Sequence, residues 1–189
     1  MLRVDCLRSI YAELEKSLVV TIMGAVAAEL QSLGHRANFF YLQHAMGLAS
    51  STGLGLALCL PEQKIMVLDG DGSLLMNLGS LSTMARYRPR NLVHVVFDNE
   101  SLLSVGGFPT ATGTGTDLEG IARSAGIPRV CTVRDLESFK AAVMGAQGNE
   151  LTTIIAKVEA TGPAAYVTSL TLLENRFQFR RHIQSLKKA

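Results

Sequence analysis

Two short polar runs stand where chemistry could be done. Asp69-Gly70-Asp71-Gly72-Ser73 follows the apolar run ending at Leu68, and Asp98-Asn99-Glu100-Ser101 follows the one ending at Phe97. A carboxylate at Asp71 and an amide oxygen at Asn99, beside glycines that let the backbone approach closely, suit a Mg²⁺ ion that takes its remaining ligands from phosphates and water. A helix beginning after Gly72 would also turn free backbone N–H groups toward a diphosphate. Taken singly, Gly-Asp-Gly is an ordinary strand-to-helix turn and Asp-Asn an ordinary cap. Together they form a spaced pair, with the 25 residues 73 to 97 lying between Gly72 and Asp98. Asp71 and Asn99 can meet at one point only if the strands that deliver them are neighbours.

The rest of the chain supplies such strands. The segments 18–22, 38–42, 64–68, 92–97, 130–133 and 152–158 read as strands, and 92–97, apolar except for His94, has the continuous apolar character of a strand covered on both faces. Between them, helices are expected over 2–15, 25–33 (ended by Gly34), 47–60 (stopped by Pro61), 74–88 (before Pro89), from 116 onward at the capping-box pattern Thr116-Asp117-Leu118-Glu119, over 135–145, and finally over 170–186. Alternating strands and helices with short connections predict an α/β fold, a parallel sheet with helices on both faces. In such a sheet ligands bind beyond the carboxyl ends of the strands, which is where both polar runs fall. One connection is long: residues 98–116, with Gly106, Gly107, Gly113 and Gly115 and four threonines, exceed what a compact domain tolerates without a function.

The 189 residues suit one domain, 1–189, and show no repeat or linker. With 48% apolar and 18% charged residues, the chain is more apolar than a free-standing domain of this size needs, so part of that surface is expected to face a partner. Eighteen basic against sixteen acidic residues create no field calling for nucleic acid or an acidic membrane, and the basic tail of Arg176, Arg180, Arg181, Lys187 and Lys188 reads as a solvated helix end. Cys6, Cys59 and Cys131 are odd in number and form no CxxC pair, which points away from a disulfide framework and toward a reducing cytoplasm. No run reaches the ~18 apolar residues of a membrane span.

The spaced pair resembles the binding motif of thiamine diphosphate (ThDP) enzymes. Phe39-Phe40-Tyr41, Met46-Gly47-Leu48-Ala49-Ser50, Gly70 to Gly79, Asp98 to Ser101 and Gly106 to Thr110 extend the resemblance over nearly the whole chain, to the ThDP-dependent 2-oxo acid decarboxylases and, among them, those acting on sulfopyruvate and phosphonopyruvate. The resemblance implies a three-layer sandwich around a roughly six-stranded parallel sheet. It also implies a cofactor set of His44, Met46, Gly70, Asp71, Gly72, Ser73, Asn99, Ser101 and Leu103. Within it, Asp71, Asn99 and the Ser101 carbonyl hold Mg²⁺, Gly72 and Ser73 seat the diphosphate, and Met46 props the cofactor in a bent shape. The glutamate that activates ThDP lies, in that family, on a separate pyrimidine-binding domain. A partner alpha subunit is therefore implied, with sites formed in a homodimer or an α₂β₂ hetero-oligomer.

Two departures stand out. His44-Ala45 replaces the usual Gly-Ser before Met46, and a catalytic or phosphate-binding His44 is one reading of it, a structural histidine the other. Leu102, Leu103 and Phe108 make the loop more apolar than an enzyme of sulfonate- or phosphonate-bearing substrates would suggest. Carboligation, another 2-oxo acid, or a non-catalytic ThDP-binding subunit are thus the alternatives. A dinucleotide-binding reading fails, because Gly113-Thr114-Gly115 lacks the third glycine and the preceding strand.

Overall fold

The computed structural model describes residues 1–146, 150–163, 165–166 and 170–186; of the basic tail, Lys187 and Lys188 lie outside the described residues. The strands in chain order are Leu18–Thr21 (β1), Phe39–Tyr41 (β2), Ile65–Gly70 (β3), Leu92–Asp98 (β4), Ser101–Leu102 (β5), Phe108–Pro109 (β6), Arg129–Val133 (β7) and Thr152–Lys157 (β8). The helices are Arg3–Ser9 (α1), Tyr11–Leu14 (α2), Ala25–Ser32 (α3), Ala49–Cys59 (α4), Asp71–Leu75 (α5), Gly79–Tyr87 (α6), Leu118–Ser124 (α7), Leu136–Ala146 (α8) and Leu172–Leu186 (α9).

Six strands form one sheet in the order β2-β1-β3-β4-β8-β7, with every neighbouring pair parallel. Right-handed crossovers then fix the layers: α3 and α8, which lead to strands on one side, join α1 on one face, while α4 and α6 pack together on the other. Burial follows from this. All seven residues of β4 are buried, because helices cover both of its faces. The small residues of α4 let it settle onto the sheet, and a Cβ at Gly53 would lie only 2.1 Å from Val67 Cγ2 on β3. The fold is thus the expected α/β sandwich around six parallel strands.

The structure corrects three local expectations. The helix expected over 74–88 is two, α5 and α6. Between them Met76 and Asn77 donate their N–H groups to the carbonyls of Ser73 and Leu74, three residues back, and this tightened turn breaks the helical ladder. The pattern Thr116 to Glu119 forms no capping box: the cap is Asp117, without a side-chain cap bond, and Glu119 instead accepts from Arg123 at 2.6 Å. The N-terminal helix is interrupted at Ile10, whose φ of −114° lies outside the helical range.

Candidate active site

The sheet order reverses between β1 and β3, since the chain leaves β1 toward β2 and leaves β3 toward β4. Beyond the carboxyl ends of these strands lies a cleft of about 110 Å³. It is lined by Ile22 to Val26 after β1, Gly70 to Ser73 after β3 and Phe97, Asn99 and Ser101 to Ser104 after β4, with Met46, Arg3 and Tyr166. The register that pairs Gly70 with Phe97 sets Asp71 beside the end of β4, so the two polar runs converge because their strands are adjacent.

Eight of the nine nominated residues therefore share one cleft: Met46, Gly70, Asp71, Gly72, Ser73, Asn99, Ser101 and Leu103. His44 does not line it. It is exposed, in the left-handed region at φ +53°, a conformation that glycine adopts more readily than any other residue.

Met46 is aimed by its neighbour. Gly47 (φ +80°) donates its N–H to Ser73 Oγ at 3.1 Å and accepts at its carbonyl from Asn77 Nδ2 at 2.8 Å. A side chain at Gly47 would meet Asn77 Cβ at 3.1 Å and Met76 Cβ at 3.3 Å, so this close approach requires glycine. The broken helix α5–α6 has its purpose here, because the break presents Asn77 to the Met46 turn.

Asp71 is buried, and one of its oxygens, Oδ2, accepts from Thr110 Oγ1 at 2.5 Å and lies 3.2 Å from Thr112 Oγ1. Thr112 Oγ1 also reaches Asp98 Oδ1 at 2.8 Å and Thr110 Oγ1 at 2.8 Å. On its other side Asp98 meets Lys157 Nζ at 2.7 Å, and the same ammonium reaches Glu100 at 2.7 Å. Burial, and secondarily the charge of Asp98, push the Asp71 carboxyl above the ordinary carboxylate range, against the pull of the hydroxyls and the Gly72 N–H. Two hydroxyls own two hydrogens, yet four oxygen–oxygen contacts converge here. Such a proton-poor, doubly acidic cluster fits a cation at Asp71. Among the described residues no three His, Cys, Asp or Glu side chains gather to hold a metal, so that cation would take further ligands from amide, carbonyl, phosphate or water.

Several participants were missed by the sequence reading: Thr110, Thr112, Asn77 and Lys157, and Arg3 at the cleft wall, while Asp98 was singled out only as part of its polar run. Arg3 is held by Glu29 through a buried two-pronged pair at 2.8 and 2.9 Å. The hydroxyls at 110 and 112, two residues apart in the glycine-rich segment, are the one sequence signal that could have found part of this network.

Residues 21–156 match the family described as thiamine pyrophosphate enzyme, C-terminal TPP binding domain. The chain belongs to that family. It is 42% identical over 154 residues to the sulfopyruvate decarboxylase subunit beta of Methanocaldococcus jannaschii, covering 81% of each chain. It is 40% identical over 154 residues to the phosphonopyruvate decarboxylase of Streptomyces hygroscopicus, covering 81% of this chain but 38% of that one. In fold it resembles the crystal structure of benzoylformate decarboxylase from Polynucleobacter necessarius, with a TM-score of 0.71 at 16% identity over 87% of this chain and 34% of that one. The chain thus spans most of the beta subunit and little more than a third of the longer enzymes. Both of these sequence relatives are decarboxylases, and the family that this chain belongs to is described as the domain that binds thiamine pyrophosphate, which is ThDP.

Proposed function

We propose that this chain is the Mg²⁺–ThDP-binding beta subunit of a 2-oxo acid decarboxylase, most like sulfopyruvate decarboxylase, and that it requires a pyrimidine-domain alpha subunit for catalysis. The observation that carries this is the convergence of Asp71, Asn99, Ser101, Gly72, Ser73 and Met46 on one cleft at the switch point of the sheet. Asp71 and Asn99 would hold Mg²⁺ through side-chain oxygens and Ser101 through its carbonyl. Gly72 and Ser73 would receive the diphosphate, and Met46, steadied by the Ser73–Gly47–Asn77 contacts, would support the cofactor. When bound, ThDP supplies the nucleophilic carbon and the electron sink that decarboxylation of a 2-oxo acid needs. This chain's own residues bind and orient it, and exclude water along the apolar wall of Ile22, Val26, Leu102 and Leu103.

Two features favour a shared site. The cleft is smaller than the ~300–1,000 Å³ that enclose a small ligand, as expected of one wall of a site. Met46, Leu48 and Met76, 40%, 49% and 64% exposed, leave apolar surface around the Gly47 turn for a partner. An α₂β₂ assembly satisfies both, in a reducing cytoplasm that suits the free Cys6, Cys59 and Cys131.

The test is titration of ThDP with Mg²⁺ into the chain, alone and with a pyrimidine-domain partner, with decarboxylation of 2-oxo acids as the second readout. Turnover only with the partner, lost in Asp71→Ala, is expected; robust turnover by the chain alone would overturn the split-site reading. A second reading, another 2-oxo acid or carboligation, is favoured by the lining itself: Leu102 and Leu103 are apolar, and Arg3, the one cation among the described lining residues, is already engaged by Glu29. Turnover of aliphatic or aromatic 2-oxo acids in preference to sulfopyruvate would select it.

A further inference from the structure

The side chains that fix the Asp71 carboxylate come from the far foot of the ribbon after β4. In that ribbon β5 and β6 pair antiparallel, Ser101 opposite Pro109 and Leu102 opposite Phe108, and the Thr110 N–H donates to the Glu100 carbonyl at 3.1 Å. Asn99 and Ser101 thus stand at one foot of the ribbon, and Thr110 and Thr112 at the other. Both threonines are buried, and neither lines the cleft. Their hydroxyls are spent on Asp71 Oδ2 and Asp98 Oδ1, and Asp98 is anchored in turn by Lys157 from β8. The ribbon also lies against the proposed diphosphate seat, since a Cβ at Gly72 would come within 2.7 Å of Leu102 Cδ2.

We propose that Thr110 and Thr112 are positioning residues. They hold Oδ2 of Asp71 so that its other oxygen is delivered to the metal, and they thereby tie the ribbon 101–109 to the metal centre at both ends. The inference rests on Asp71 being a metal ligand. It makes metal affinity and ribbon order a single property: what loosens the hydroxyl anchor weakens the metal, and the metal in turn tightens the ribbon.

The experiment uses the full chain with Mg²⁺ and inorganic pyrophosphate as probe, which asks only for the half-site on this chain. Valine at either position keeps the shape of threonine and removes the donor, while serine keeps the donor. Calorimetric titration is expected to give a half-saturating Mg²⁺ concentration about tenfold higher in Thr110→Val and Thr112→Val, the loss of one hydrogen bond to a charged group. Thr110→Ser and Thr112→Ser are expected to return it toward wild type. Backbone hydrogen exchange over residues 101–109 is expected to slow on adding the probe in wild type and the serine variants and to stay fast in the valine variants. Wild-type or tighter Mg²⁺ binding in both valine variants overturns the inference, as does serine performing no better than valine. Asp71→Asn separates the two levels of argument: if it binds the probe like wild type, or wild type does not bind it, the metal reading fails and the inference with it. If Asp71→Asn loses binding while the valine variants keep it, the positioning role alone fails.

Discussion

Asp71→Asn should make the ligand-free protein more stable while removing the ligand's ability to stabilise it. Asp71 is 3% exposed, and its Oδ2 and Asp98 Oδ1 both touch Thr112 Oγ1, at 3.2 and 2.8 Å, so the two carboxylates face each other across a single hydroxyl. At about 6 Å and an effective dielectric of about 20, two unit charges repel by about 3 kcal/mol. Lys157, 2.7 Å from Asp98, offsets part of this, which leaves about 1–2 kcal/mol to be relieved by a neutral amide of the same shape. For a chain of this length each kcal/mol is worth about 2–4 °C in melting temperature. The pH dependence follows from the direction of the shift. The native carboxyl holds its proton more tightly than the unfolded one, so the wild-type stability credited to it is fully present below the ordinary aspartate range, about pH 4, and is lost as pH rises through the raised native value. The advantage of Asp71→Asn should therefore appear at neutral pH and vanish in acid. Melting curves at several pH values, with and without Mg²⁺–ThDP, measure both halves. Ligand at a hundred times its Kd adds about 2.7 kcal/mol to wild type, and the variant should gain none of it. A ligand-free variant that melts below wild type at neutral pH would refute the electrostatic argument, and one that binds Mg²⁺–ThDP normally would refute the metal assignment.

Three further outcomes are expected. Met46→Ala should weaken ThDP binding and turnover in the assembled enzyme with a stability change within about 0.5 kcal/mol, because the side chain is half exposed and its role is toward the cofactor; calorimetry and melting together check it. Arg3→Met should cost about 3–5 kcal/mol by leaving Glu29 buried and unpaired, whereas the double change Arg3→Met with Glu29→Leu should recover most of that loss in denaturant unfolding. His44→Gly should leave Mg²⁺–ThDP affinity and the pH profile of turnover unchanged, since His44 stands outside the cleft at φ +53°; a lost limb in that profile would instead make it an acid–base group.

The parts of this protein that were legible in its sequence are those specified locally. The Gly70–Ser73 turn, the largely apolar run 92–97 and the alternation of strands and helices are written in consecutive residues, and so the sheet and the sharing of one cleft by Asp71 and Asn99 could be anticipated. What escaped depends on strand order, which no local pattern encodes. Lys157 reaches Asp98 because β8 inserts between β4 and β7 and its register sets the two residues opposite each other, although they are far apart in the chain. The same holds for Thr110 and Thr112, whose hydroxyls point back to Asp71 across a ribbon that reads in sequence as irregular loop.

At the other end of the sheet, α9 was legible as a helix with a solvated basic face, but not for what its Asn175 does. That side chain donates to the Phe39 carbonyl at 2.7 Å and accepts from the Tyr41 N–H at 3.0 Å, as a neighbouring strand would. The Phe179 ring stacks on Phe40 beside it, 5.2 Å between centroids. An edge strand three residues long is thereby closed to pairing by a single amide, which makes α9 part of the sheet's architecture although it lies beyond the residues that match the family.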